Sequence, residues 1–173
     1  MSYSVVRTDK MFGTDNRGGV ESVKYMGSGT TATAIENGNV VKLDGLLAVA
    51  GSNPTDYERQ IFKGVTPAAD SNIDEVVLIC SPEVMYDERK KDLAEFRNEA
   101  GDVCRAYRFH TGDIFSVTAD GLTGTCAIGS VIELQAGIKL KAVNSATSGS
   151  TKVGKCVDVE TVGPYTFYVI QVG

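Results

Sequence analysis

Four stretches of the chain share one order of residues: a glycine, one further residue, and then an apolar, apolar, polar, apolar run. They cover residues 38–43, 112–117, 129–134 and 154–159. A glycine turn followed by alternation rich in Val and Ile is typical of a strand that enters a half-buried sheet. The intervals between the four are unequal, so they predict the hairpins of one compact β-barrel or β-sandwich and not a repeat of fixed period.

Three further segments predict strands and one predicts a helix. Residues 76–80 form a short apolar run, residues 104–109 alternate, and residues 165–172 are rich in β-branched and aromatic side chains. Residues 87–100 place Leu93, Phe96 and Ala100 at spacings of three and four among charged positions, and Gly101 follows as a stop. The pattern predicts a mainly β protein with one short surface helix at 87–100.

The first 33 residues are polar and rich in glycine, and their apolar residues are scattered. This segment lacks the pattern of a core, which predicts two parts: an extended N-terminal arm at 1–33 and a β-rich core domain at 34–173. Two interpretations of the arm are open: it is a frayed terminus, or it is a segment that becomes ordered on a partner protein and adds a strand there. Its more apolar residues favour the second reading; they are Val5, Val6, Met11 and Phe12.

Composition narrows the classes of function. The chain has 173 residues, enough for one domain, with a net charge of −5 that argues against a nucleic-acid partner. No apolar run is long enough to span a bilayer, and the start resembles no secretory signal, so we expect synthesis in the cytoplasm. The four cysteines are widely spaced without a CxxC pair, which predicts reduced, buried thiols.

Three motifs approach known chemistry without completing it. Residues 149–156 match a phosphate-binding loop in two glycines and Lys155, but Cys156 stands where Ser or Thr binds the metal, and a strand pattern follows where a helix belongs. Residues 70–75 begin like a calcium loop and lack its later glycine and glutamate, so at most a weak cation site is expected. His110 is the only histidine, so a site built on several imidazole side chains is excluded. We therefore predict no catalytic residue, no cofactor and no resident metal, and hence no enzyme.

Three long pieces of the chain carry a family resemblance. They are ATAIENGNVVKLDGL, PEVMYDERKKDLAEFRNEAGDVCRAYRFHTGDIFSVT, and IGSVIELQAGIKLKAV together with GKCVDVETVGPYTFYVIQV. In these turn and strand patterns the chain resembles the capsid decoration, or head-stabilising auxiliary, proteins of tailed bacteriophages. The resemblance implies a structural virion protein, made in the host cytoplasm, that binds the exterior of a preassembled capsid and stabilises it. Its implied partners are the lattice of the major capsid protein and further copies of itself, since members of this class often form trimers.

The expected contacts lie in the arm and in the loop at residues 45–57. The predicted interface residues are Val5, Val6, Met11, Phe12, Val20, Tyr25, Leu46, Leu47 and Tyr57. Two other functions fit a β-rich module: a tail-tube or head-to-tail connector subunit, which would form rings alone, and a carbohydrate- or small-ligand-binding module, which would expose a platform of aromatic rings.

Overall fold

The computed structural model describes residues 3–8, 19–27, 31–47, 60–87, 89–90 and 92–173. Twelve strands lie in these ranges. They are β1 Val6–Arg7, β2 Val20–Tyr25, β3 Val40–Leu46, β4 Ile61–Val65, β5 Val76–Ile79, β6 Cys104–Arg108, β7 Ile114–Thr118, β8 Leu122–Thr123, β9 Val131–Glu133, β10 Leu140–Val143, β11 Lys152–Val162 and β12 Tyr165–Val172. The prediction of a mainly β protein is confirmed.

The strands form two sheets. One is an open sheet of seven strands in the order β1-β7-β12-β11-β9-β10-β8. In the other, the order β2-β4-β3-β5-β6 returns from β6 to β2, so the pairing of five strands closes on itself. Most neighbours are antiparallel, while β2 pairs with β4 and β8 with β10 in parallel. We refer to these two units as the open sheet and the closed sheet.

Strand β5 belongs to the closed sheet, and it packs into two cores because both of its faces are buried. Val76 and Leu78 belong to the core between the sheets, whereas Val77 and Ile79 belong to the core inside the closed sheet. All four side chains have no exposed surface. Since successive side chains of a strand point to opposite faces, an uninterrupted apolar run is the sequence that such a strand needs.

The glycine-initiated pattern identifies strands correctly but combines two different uses of glycine. Gly38, Gly112 and Gly129 occupy turns at φ of +83°, +96° and +91°, a region that other residues rarely adopt. Gly154 instead lies inside β11 beside a register shift, where a Cβ atom would stand 2.1 Å from the main-chain oxygen of Gln171. The first three begin β3, β7 and β9, and the fourth permits close contact within a strand that has already begun.

The described residues of the first 33 do not form a separate arm, because they supply strands to both sheets. Strand β1 pairs with β7 at one edge of the open sheet, and β2 pairs with both β4 and β6 in the closed sheet. The reason is that Val23 and Tyr25 alternate with polar residues and turn inward, so a mostly polar segment still supplies one apolar face. Residues 1–2, 9–18 and 28–30 of the predicted arm lie outside the described residues.

The predicted helix at 87–100 is wrong. Its described residues contain only a 3-10 turn, Leu93–Glu95, which begins with a capping box between Asp92 and Glu95. The chain then becomes extended, because Asn98 forms a bridge with Ile35 in both main-chain directions, at 2.9 and 3.0 Å. Leu93 and Ala100 remain exposed, so the apolar stripe that should stabilise a helix has no surface to cover.

A buried polar network fixes the irregular segment that replaces the helix. The side chain of Asn37 accepts a hydrogen bond from the main-chain amide of Ser81 and donates one to its carbonyl, both at 2.9 Å. The side-chain amide of Asn98 donates one hydrogen bond to the main-chain carbonyl of Ile35 and another to the side-chain oxygen of Asn37. The hydroxyl of Ser4 donates to the carbonyl of Asn37. One asparagine therefore ties the N-terminal segment, the turn before β3 and the segment after β5 together.

Replacing Asn37 by Ala should destabilise the protein by on the order of 2–3 kcal/mol, because the buried amide and carbonyl of Ser81 lose their partners. Urea unfolding measures this change. Asn72→Ala is the matched control: Asn72 is exposed, and its side chain accepts a local hydrogen bond from the nearby amide of Asp74. Equal losses in the two variants would show that the Asn37 network does not hold the fold.

Candidate interaction surfaces

The predicted interface residues occupy very different environments. Val5, Val6 and Tyr25 are buried, with 2%, 5% and 7% of their surface exposed, so they pack within this chain and are not free to contact a partner. Val20 and Leu46 are about half exposed, at 48% and 51%. The remaining predicted residues are Leu47, which is half-buried, and Met11, Phe12 and Tyr57, which lie outside the described residues.

Val20 borders a groove on the outer wall of the closed sheet. The groove encloses about 640 Å³ and is lined by residues of β2, β6 and the irregular segment after β5. Val84 and Val103 are exposed by 56% and 48%, and Phe96 is half-buried beside them. We call the surface formed by Val20, Val84, Phe96 and Val103 the valine groove. Only Val20 was among the predicted contacts, because the other three lie outside the arm and the 45–57 loop.

The floor of the valine groove is rigid and its rim is charged. Ser81 and Asn98 line it and belong to the buried network. The Ser81 hydroxyl also accepts a hydrogen bond from the Arg105 amide at 3.1 Å, which fixes the segment to β6. At the rim, Glu21 is held by Arg108 at 2.8 Å, and Arg105 is exposed. The groove thus presents apolar side chains on a fixed backbone.

A second apolar surface follows the free side of β11. Strand β9 pairs with β11 only as far as Lys155, and the main chain of Cys156 bonds to Ser130 and Gly129. From Val157 to Val162 the described strands pair with β11 only on its β12 side. We call residues 157–162 the hairpin edge. Its exposed apolar side chains, with that of the neighbouring loop, are Val157 at 41%, Val159 at 37%, Val162 at 49% and Ile128 at 66%.

His110 takes part in a turn. Its main-chain amide donates to the carboxylate of Asp113 at 3.0 Å, and its ring nitrogen Nδ1 lies 3.4 Å from the same oxygen. Asp113 is 4% exposed and its amide donates back to the His110 carbonyl. A cavity of about 470 Å³ opens beside this turn, also lined by Asp74 and Lys152. None of the described residues that line it carries a thiol.

None of the four cysteines forms a disulfide, and three of them are buried. Burial raises the pKa of Cys104 to about 11, with the nearby carboxylate of Asp102 adding to the effect. Burial, and to a smaller extent the neighbouring Cys156, together raise the pKa of Cys126 to about 12. The pKa of Cys80 is raised for the same main reason. These environments disfavour the thiolate, the form that reacts as a nucleophile.

The other two motifs fold as ordinary structure. Residues 70–75 form a polar turn in which Asn72 caps the 3-10 turn Ile73–Glu75, and Glu75 pairs with Lys42 at 3.1 Å. Across the described residues, no group of three potential metal ligands comes together. Residues 149–156 continue from a turn at Gly149 directly into β11, and Cys156 is buried. No helix N-terminus follows that could bind a phosphate.

Glu133 is a fully buried carboxylate that holds a loop. It accepts hydrogen bonds from Lys141 at 3.1 Å and from the amide and hydroxyl of Thr147 at 2.8 and 2.6 Å. Burial alone would raise the pKa of Glu133, but the bonds from Thr147 and Lys141 outweigh it and lower the pKa. The carboxylate therefore fixes the loop between β10 and β11 in its ionised form.

No family model, no curated protein and no solved structure matches this chain. Within the part of the chain that the structure describes, no helix is both long and apolar enough to cross a bilayer.

Replacing Glu133 by Gln should lower the free energy of unfolding at pH 7 by about 2 kcal/mol, because an amide cannot accept all three charge-assisted bonds. The lowered pKa of Glu133 means that its contribution is complete above its unfolded pKa, near 4.3, and is lost as the pH falls through the folded pKa. Denaturant unfolding at several pH values should show the two proteins converging on acidification.

Glu75→Gln serves as the control for that experiment, since Glu75 is 49% exposed in its pair with Lys42 and should change stability by less than about 1 kcal/mol. A Glu133→Gln deficit that stays constant from pH 7 to below the folded pKa would contradict the assigned ionisation.

Proposed function

We propose that this protein binds the exterior of a preassembled tailed-phage capsid and reinforces it. The sequence resemblance gives the class of partner. The observation that carries the proposal is the valine groove, where Val20, Val84 and Val103 are each about half exposed on a hydrogen-bonded wall. Apolar side chains gathered in a groove and rimmed by charges are typical of a protein-binding site.

The fold suits reinforcement by many weak contacts. A groove of this size buries only a few side chains, so one copy alone would bind with modest affinity. On a capsid, each copy bridges neighbouring coat subunits, and simultaneous contacts raise the apparent affinity without new interactions. The net charge of −5 keeps the free protein soluble before it meets the shell.

The proposed main contact is the valine groove, whereas the sequence prediction placed it in the N-terminal arm and the loop at residues 45–57. Val5, Val6 and Tyr25 stabilise the fold, so a deletion of residues 1–33 would remove β1 and β2 and would test folding more than binding. Val20 and Leu46 stay candidates as exposed residues, together with Val84, Phe96 and Val103 of the valine groove. Single substitutions at exposed positions are the cleaner experiment.

Val103→Glu should weaken co-sedimentation with shells assembled without this protein by about tenfold or more, because it places a charge in the apolar centre of the contact. The matched control is Ser148→Glu, which adds the same charge at an exposed position of the loop between β10 and β11. Circular dichroism and thermal unfolding confirm that both variants are folded.

Binding of Val103→Glu at the wild-type level would contradict the groove as the contact, and absence of wild-type binding would overturn the capsid proposal. Sedimentation of the purified protein alone separates the main rival: a decoration protein stays small without a shell, whereas rings or tubes would favour a tail-tube or connector subunit.

A further inference from the structure

The hairpin edge offers main-chain groups that no described strand uses. Strands β11 and β12 are joined by the two residues 163 and 164, and Val162 pairs with Tyr165 across this loop. In a two-residue hairpin the flanking pair is hydrogen-bonded, and hydrogen-bonded and non-hydrogen-bonded pairs then alternate. Asp158 and Glu160 therefore direct their main-chain groups towards β12, and Val159 and Thr161 direct theirs away from it.

The position of one side chain agrees with this assignment. The amide of Val159 donates to the carboxylate oxygen Oδ1 of Asp158 at 2.8 Å, as expected for an amide that has no strand neighbour to bond. A register shift between Cys156 and Asp158 lies where pairing with β9 ends. The free edge begins at this irregularity, in line with β9 and beside the exposed side chain of Ile128.

The two faces of the hairpin edge differ in chemistry. Asp158 and Glu160 lie opposite Val169 and Phe167 and share one face, whereas Val159 and Thr161 share the other. Glu160 already pairs with Arg7 at 3.1 Å, and Asp158 is exposed. A strand added here would meet acidic side chains on one face and β-branched side chains on the other.

This alternation argues against a second copy of the chain as the added strand. Two identical antiparallel edges pair about a two-fold axis that keeps each face on its own side, so only residues of the same face can stand opposite each other. The two registers that pair most of residues 157–162 are centred on Val159 or on Glu160, and they put Asp158 opposite Glu160 or Glu160 opposite Glu160. Like charges directly opposite each other destabilise a pair of strands.

We propose that the hairpin edge accepts an extended, basic segment of a partner protein as an additional strand in line with β9. The segment carries Lys or Arg against Asp158 and apolar β-branched residues against Val159. Its carbonyl takes over the hydrogen bond that Val159 donates to Asp158, and the released carboxylate pairs with the incoming cation. Main-chain bonds supply affinity and the alternating side chains supply specificity.

The inference deepens the proposed function by defining the chemistry of a coat segment that this module would bind, and it rests on that function only for the partner's origin. The site itself belongs to the isolated chain. It can therefore be tested with peptides, without a shell, so that its failure is separable from failure of capsid binding.

The probes are two blocked eight-residue peptides, one alternating Val with Lys and the other alternating Val with Glu. In low salt, the basic peptide should bind at least tenfold more tightly by fluorescence anisotropy. Hydrogen exchange followed by NMR should show that the amides of Val159 and Thr161 become protected, while amides that face β12 change little.

Thr161→Pro provides the decisive variant, because it removes an outward N–H at an edge where proline is tolerated and leaves the net charge unchanged. It should abolish binding of the basic peptide, whereas Thr161→Val, which retains the N–H, should bind like the wild type. Equal affinity for both peptides, undiminished binding by a folded Thr161→Pro variant, or no binding at all would overturn the proposal.

Discussion

The burial of β5 on both of its faces is the constraint on which the rest of the structure depends. Val76 and Leu78 complete the core between the sheets, and Val77 and Ile79 complete the core of the closed sheet. A shift of one residue would exchange the two sets, so the pairing of β5 with β3 and β6 is fixed by packing on both sides. The outer wall of the closed sheet and the hairpin of the open sheet are thereby held in one body.

Sequence patterns predict strands well where the sheet environment is simple. The segment 165–172 coincides with β12, and the apolar run at 76–80 contains β5, because strong β-propensity and complete burial leave a local signature. Strand β2 was missed since its inward residues are only Val23 and Tyr25, within a polar and glycine-rich context. Its neighbours in the closed sheet are distant in sequence, and no local pattern records them.

The helix error has the same origin in long-range contacts. The segment 87–100 has the composition of a helix and even the capping box at Asp92, but Asn98 bonds to Ile35 and Asn37, more than sixty residues earlier. Those bonds hold the chain extended, and the local preference for helix is too weak to compete. The same segment consequently displays Val84 and Phe96 in the valine groove, which a helix prediction could not reveal.

The candidate interaction surfaces consist of apolar side chains and strand edges that neither core buries. Apolar residues of the first segment that alternate inward, such as Val6 and Val23, stabilise the sheets, and Val20 at the start of β2 remains on the surface. The hairpin edge exists because β9 is shorter than β11, a property of pairing and not of composition. Recognition is therefore assigned to a rigid wall and a strand edge, both of which depend on strand β5, whose two faces pack into the two cores.

The most direct test of this dependence is amide hydrogen exchange of two variants, Leu78→Ala on the side of the open sheet and Ile79→Ala inside the closed sheet. Each creates a cavity that should cost about 2–5 kcal/mol. If β5 unites the molecule, either variant lowers the protection of β12 and of β2 by the same amount. If each variant loosens only the sheet that its side chain contacts, the two sheets are independent and the account is contradicted.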